Sequence, residues 1–425
     1  MKIVKLPSYD FGGYSYKNVC VFLDCEGRLI MLPTLFTLSS RVNLVSYKVD
    51  KIEGRNGVIE FRVKEGDLSD STLDAYIPPI KKYLLYLESI DKEQKTEIPS
   101  LLHGSSHASS KFINHYINEV LAPKLNNIST LNVHVAALTF FYGWMWNSGL
   151  CERMELKLKV RIKQEISGRT GGQDKISYLS REVRELLKKE ANKTSLRDFL
   201  ILKMGWSVGL RAKENQGLLI NDFYVGNKKC DGLKTLIAKM KSNENKEYFQ
   251  YHLSSKFTKN SSQRQVYLSR NILKLIERYI DTERHTHVEM GKKIMQEKEE
   301  TRISKLKKGL NTSRSPIKFI EHDSLFVNMD NVFIGQKISS GCASNVFTKI
   351  RKKIPQMNQK LSYHDCRHTF ATELYHSMKQ KTGSSNAALL EVAIRLGHSL
   401  RKGKPQEVTT KYIRLHGVMV SEEQL

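Results

Sequence analysis

The spacing of apolar positions changes along the chain. Over the first 65 residues or so it is short. Val19 to Leu23 is an apolar run, Asp24 to Arg28 carries turn residues, and Leu29-Ile30-Met31-Leu32 follows, a pattern that predicts a hairpin. Asn56-Gly57 is a tight-turn dipeptide, and Val58 to Lys64 alternates like a half-buried strand. From Leu73 the period lengthens: Leu73, Ile77, Ile80, Leu84 and Leu87 fall on helical spacing. Ser109 to Leu121 and Ser129 to Ser148 also read as helices. In the second of these, Leu131, Val135, Leu138, Phe141, Tyr142, Met145 and Trp146 form a stripe that Gly149 stops.

After residue 150 cations alternate with apolar residues, and Ser167 to Gly172 breaks regular structure. Helical patterns resume at Ser180 and at Ser195 to Val208. Leu233 to Lys239, Glu247 to Leu253 and Gln265 to Leu268 read as strands, and Asn271 to about Thr286 as a helix. Residues 281–314 are dense in charge and poor in apolar positions, which predicts an exposed helical excursion or a mobile insert. Helices return at Ala343 to Lys353 and Thr369 to Met378. The expected class is mainly α with small β-sheets (α+β). The expected domains are a β-rich 1–67, a helical 68–150, a basic linker over 151–174, and 175–425 with its charged insert.

Composition narrows the function. No run of about 18 apolar residues appears, so a membrane-spanning helix is not expected. The N-terminus lacks an apolar signal core, and the six cysteines form no CxxC pair, which argues for reduced thiols and against a zinc ribbon. Lys and Arg number 69 against 44 Asp and Glu, a net charge of +25. Such an excess favours a polyanionic partner, nucleic acid first.

Four segments carry candidate chemistry: Gly209-Leu210-Arg211 with Glu214, Lys259 to Val266, His364 to Thr369, and Leu396-Gly397-His398-Ser399 followed by Thr409 and Tyr412. Breaking a phosphodiester needs a nucleophile, charge neutralisation and an acid for the leaving group. A tyrosine hydroxyl is a poor nucleophile unless cations favour its phenolate. Guanidiniums suit non-bridging phosphate oxygens, and histidines exchange protons near neutral pH.

In this order the segments resemble the tyrosine recombinases, the phage integrase family of site-specific DNA recombinases. The resemblance covers about residues 175–415, and a helical DNA-binding module at 68–150 fits it. It implies Arg211, Lys259, His364, Arg367, His398 and the nucleophile Tyr412 as catalytic residues, with Glu214 as structural support behind Arg211. Lys256 rivals Lys259, because a small shift in the hairpin would exchange them. Two departures stand out: the stretch from His398 to Tyr412 is longer than usual, and the distance from Arg211 to His364 is stretched by the 281–314 insert. Cys366 also replaces the commoner leucine before Arg367.

The resemblance further implies a C-shaped clamp on duplex DNA and a 3′-phosphotyrosyl intermediate with neither metal nor ATP. It implies a tetramer on two DNA sites, served in some systems by an accessory DNA-bending or directionality protein. Integration or excision of a mobile element would be its role, in the cytoplasm and nucleoid of a prokaryote. DNA contacts are expected from Lys111, His115, Asn118 and Lys124, and along the linker from Lys157, Lys159, Arg161 and Lys163. Residues 1–67 would suit accessory arm-site binding. The alternatives are a silent DNA-binding regulator with the same fold and a type IB topoisomerase-like strand transferase.

Overall fold

A computed structural model describes the chain except residues 12–13, 43–46, 54–58, 66–69, 94–99, 160, 163–164, 167–176, 259–263, 311, 313–314, 331, 399, 402–403, 406–408 and 410–425. The chain forms two compact units, Met1–Asp174 and Lys175–Leu425. Both are mostly helical with small antiparallel sheets.

In the first unit β1 (Lys2–Phe11) pairs antiparallel with β2 (Tyr14–Leu23). Pairing skips Pro7 and Asn18, where proline has no N–H to give and Asn18 takes φ 62°. The expected turn forms and Leu29 bridges back antiparallel to Leu23, with Ile30 N donating to Phe22 O at 2.8 Å, but from Met31 the expected strand is helix α1 (Met31–Val42). Two threonines one helical turn apart explain the difference. Thr34 Oγ1 accepts from Phe22 N at 3.0 Å, and Thr37 Oγ1 donates to Cys20 O at 2.7 Å while accepting from Cys20 N at 3.2 Å. The free edge of β2 is thus satisfied by helix side chains where a third strand would have stood.

β3 (Tyr47–Glu53) and β4 (Ile59–Glu65) form the second hairpin, as the alternation predicts. Helix α2 (Asp70–Glu93) buries Leu73, Ile77, Ile80, Leu84 and Leu87 and runs through Pro78 and Pro79. After α3 (Ser110–His115) a π-helical turn spans Tyr116–Leu121, and α4 (Ile128–Asn147) buries Leu131, Val135, Leu138, Phe141, Tyr142 and Met145. The basic stretch after 150 is packed rather than open. β5 (Lys157–Leu158) adds to β4, and Leu156, Leu158, Ile162 and Ile166 join one core with Phe22, Phe36, Ile80 and Phe141.

The second unit opens with α5 (Arg181–Asn192) and α6 (Leu196–Val208). A short hairpin follows, β6 (Phe223–Val225) with β7 (Lys228–Cys230). The stretch expected as a strand at 233–239 is helix α7 (Leu233–Ser242). Its buried residues, Leu233, Leu236, Ile237 and Met240, have the period of a helix face. β8 (Tyr248–Leu253) pairs with β9 (Arg264–Ser269), and α8 (Arg270–Tyr279) leads through a π-helical turn into α9 (His285–Lys307).

The charged insert is therefore helical, and its first half is docked. Val288 is buried, and a Cβ on Gly291 would lie 2.3 Å from Ile334 O. α10 (Cys342–Lys352), α11 (Tyr363–Thr382), α12 (Ser385–Leu396) and a two-residue hairpin, β10 (Leu400–Arg401) with β11 (Lys404–Pro405), complete the unit. Among the described residues no helix is long and apolar enough to cross a membrane.

Candidate active site

The site begins where α6 stops. Gly209 takes the left-handed conformation, φ 73°, and a Cβ there would strike the Phe370 ring at 2.4 Å. The turn keeps Leu210 buried and brings out Arg211, whose side chain is 23 % exposed. Arg211 N donates to Glu214 Oε2 at 2.8 Å, and its guanidinium donates to Oε1 at 2.7 Å.

Glu214 is fully buried and faces two further guanidiniums. Arg264, the first residue of β9, donates to Oε2 at 2.5 Å, and Arg367 Nη1 lies 3.6 Å from the same oxygen. Burial raises the Glu214 pKa, but Arg264, Arg367 and Arg211 outweigh it and hold the carboxyl below its ordinary value. One carboxylate is thus set among three guanidiniums.

α11 and α12 deliver the rest. Ser362 and Asp365 form a reciprocal N-terminal cap, Ser362 N donating to Asp365 Oδ2 at 2.7 Å, which fixes where α11 starts. Arg367 then points inward. It is 1 % exposed and donates to Gly209 O and Leu396 O, each at 2.5 Å. Its neighbour Cys366 packs where a Cβ on Gly205 would approach to 2.6 Å, a gap that suits a small apolar side chain.

α12 ends at Gly397, φ 63°, and the next residue is His398. His398 Nδ1 shares a 3.0 Å hydrogen bond with the hydroxyl of buried Thr409. Burial, then the fields of Arg367, Arg211, Arg264 and His364, push the His398 pKa down to about 3, so the free protein holds it neutral.

The structure thus brings together Arg211, Glu214, Arg367 and His398. His364 is exposed on the first turn of α11, its ring edge-on to His368 at 4.4 Å. Lys259, Lys163 and Tyr412 lie outside the described residues, and the rival Lys256 is exposed. Sequence reasoning did not count Arg264 as a site residue. The signal was there: on β9, Arg264, Val266 and Leu268 share the inward face, so the alternation buries a charge.

In the first unit Lys111, His115 and Lys124 are exposed. Asn118 is not available to read bases. It is 4 % exposed, and its amide donates to Asn114 O and Lys157 O and accepts from Lys159 N. Lys157, Lys159 and Arg161 are exposed and pair with Glu155, Glu119 and Glu165 at 3.0, 2.6 and 2.9 Å. Among the described residues no cluster of His, Cys, Asp and Glu could hold a metal ion.

Residues 178–382, within the second unit, match the model of the phage integrase family, the tyrosine recombinases. Among solved structures the chain is similar to the XerH site-specific recombinase bound to difH substrate in a pre-cleavage complex. The identity is 16%, over 81% of this chain and 78% of that one, with a TM-score of 0.47. It is also similar to a lambda integrase (75–356) dimer bound to a COC′ core site, at 12% identity over 81% and 89% of the two chains and a TM-score of 0.42. No curated protein matches it.

Proposed function

We propose that the protein cuts and rejoins duplex DNA through a phosphotyrosyl link at Tyr412, without metal or ATP, to integrate or excise a mobile element. One observation carries this reading: a buried carboxylate outnumbered by three guanidiniums, of which Arg211 reaches solvent. Arg211 is the member of this set that reaches solvent, and a phosphodiester beside it would meet a guanidinium already held in place.

In this reading the Tyr412 oxygen attacks phosphorus and the bond to the 5′ oxygen breaks. A 3′-phosphotyrosine and a free 5′ hydroxyl result, the proton for the latter coming from Lys259, with Lys256 the rival donor. Arg211 contacts a non-bridging oxygen. Arg367, already bonded to two carbonyls, adds its charge from the interior. Neutral His398 and exposed His364 take part in proton and hydrogen-bond exchange, with Thr409 orienting the His398 ring. Rejoining runs the same steps backwards with a different 5′ hydroxyl, so bond energy is conserved.

Duplex DNA is then the partner, held by phosphate contacts that weaken steeply with salt. Lys111, Lys124 and the paired cations of 157–161 are the first-unit candidates, with Lys163 beside them in sequence. The protein works as a tetramer on two sites, with an accessory protein setting direction where one is required.

Covalent capture tests this. Purified protein is incubated in EDTA with nicked duplexes from the borders of the element that carries it, then run on a denaturing gel. An adduct that Tyr412→Phe abolishes is expected. Tight binding with no adduct on any border duplex would favour a silent DNA-binding regulator.

A further inference from the structure

We propose that Arg264 is a positioning residue for phosphate neutralisation: it holds Glu214, and through it Arg211, in the geometry that receives the scissile phosphate. The inference rests on the strand-transfer reading above. Arg264 does not touch DNA itself, because its side chain is 1 % exposed. Its three donor nitrogens instead tie together three segments of the site. Nη1 holds Glu214 Oε2 at 2.5 Å, Nη2 holds Gly209 O at the end of α6 at 3.1 Å, and Nε holds Arg395 O near the end of α12 at 2.8 Å. A Cβ on Gly397 would come within 2.9 Å of Arg264 Cδ, so the turn that leads into His398 packs on the arginine stem.

The carboxylate explains why this matters. Glu214 Oε1 takes the Arg211 guanidinium, while Oε2 takes Arg264 and the Arg211 main chain. Arg264 is therefore the guanidinium that engages Oε2 from the interior, leaving Oε1 to the Arg211 guanidinium. Remove it, and the carboxylate spends its charge on Arg211 and Arg367. Glu214 then has two described guanidiniums to face instead of three, it binds Arg211 more closely, and Arg211 is less able to bind a phosphate. Lysine does not substitute, since one ammonium lacks a planar fork that reaches three acceptors in different segments.

The test compares two versions of the duplex that the wild-type protein captures, one with the ordinary scissile phosphodiester and one with an uncharged methylphosphonate there. The second substrate has far less charge to neutralise. The variants are Arg264→Met, Arg264→Lys and, as the direct-contact control, Arg211→Ala. Single-turnover adduct rates, duplex Kd and melting are measured for each.

Loss of a preorganised charge donor costs about 10²–10³ in rate. On the phosphodiester Arg264→Met is expected to lose about 10²-fold, with Kd unchanged. On the methylphosphonate it should regain most of that deficit relative to wild type, as Arg211→Ala does. Arg264→Lys should resemble Arg264→Met and melts cooperatively if the larger change does not fold. Equal deficits on both substrates, with Arg211→Ala rescued, would overturn the proposal and leave Arg264 a support of the fold. If Arg211→Ala is not rescued either, the phosphate site itself is misassigned and the proposal falls with it.

Discussion

Both units pack an apolar core and bury some charge, Asp24 and Glu88 in the first and Glu214, Arg264 and Arg367 in the second, but their centres are built differently. At the centre of the first, Phe36 makes edge contacts with Phe140, Phe141 and Trp144 at ring separations of 5.4, 5.3 and 5.7 Å. Its few central polar atoms find neutral partners. The Tyr83 and Tyr142 hydroxyls lie 2.7 Å apart, and Tyr142 donates to Ser105 O at 3.0 Å. The second unit buries Glu214, Arg264 and Arg367 together. It also buries a second ion pair, Arg197 with Asp198 at 2.6 Å, with Val327 O accepting from the same guanidinium at 2.9 Å. That pair is one to one, whereas among the described residues Glu214 faces three guanidiniums. What sets the Glu214 cluster apart is that one of its members, Arg211, reaches solvent, where a ligand can meet it.

The largest effect should separate function from fold within the second unit. Arg211→Ala is expected to slow covalent capture by about 10²–10³-fold while melting stays cooperative, because Arg211 is the partly exposed member of the cluster. A normal capture rate would show that the cluster is not used for phosphate.

Glu214→Ala should act on stability instead. Removing one partner from a buried charge cluster costs about 3–5 kcal/mol, since three guanidiniums then repel without their anion. Phe141→Ala in the first unit should cost a similar amount, about 3–5 kcal/mol, for a different reason, the cavity. Replacing Arg264 by Met on top of Glu214→Ala should restore part of the first loss by removing one of the repelling charges. No second charge removal rescues Phe141→Ala. Denaturant melts of the four proteins decide it, and failure of the rescue would mean that the cluster is held by shape rather than by charge.

A smaller effect follows from pH. Burial, then the field of Lys82, lowers the His134 pKa to about 4 in the first unit, and His398 sits at about 3 in the second. Both are bases with depressed folded values. Below about pH 6.5 the unfolded chain takes up these protons, while the folded one refuses them until about pH 4 and pH 3. Stability is thus whole above pH 6.5 and declines as pH falls through that window. His398→Gln and His134→Gln should each flatten the fall in melting temperature between pH 7 and 4.5. The causes differ, and so should the response to a second change. Arg211→Ala should move the His398 titration upward and leave that of His134 in place. A histidine NMR titration checks this, and equal movement of both would remove the arginine field as the cause.

How much was legible in the sequence varies for physical reasons. The long helices α2 and α4 were, because their stripes persist for several turns. Arg211, Glu214, Arg367 and His398 were placed by motif order, and the structure brings them into one cluster. α7 was misread because Leu233, Leu236 and Ile237 look like a short apolar run. The deciding fourth residue, Met240, comes a full turn later. Arg264 was passed over because a charged residue opening a strand reads as exposed until the strand's inward face is known. Lys259 and Tyr412 remain assigned by sequence.

α1 failed for a subtler reason, and the smallest prediction isolates it. Leu29 to Leu32 carries apolar content that fits either structure. What selects the helix lies further on, where Thr37 gives β2 the donor and acceptor that a neighbouring strand would have given. Thr37→Val keeps the shape but leaves the buried N–H and C=O of Cys20 without that partner. Stability should fall by about 1–3 kcal/mol, while Thr37→Ser, which keeps the hydroxyl, should lose about 1 kcal/mol or less. Because this contact belongs to the first unit, Thr37→Val should leave the adduct rate at saturating DNA unchanged. If the two variants proved equally stable, packing of the γ-methyl, and not the borrowed hydrogen bonds, would be what sets the helix against the strand.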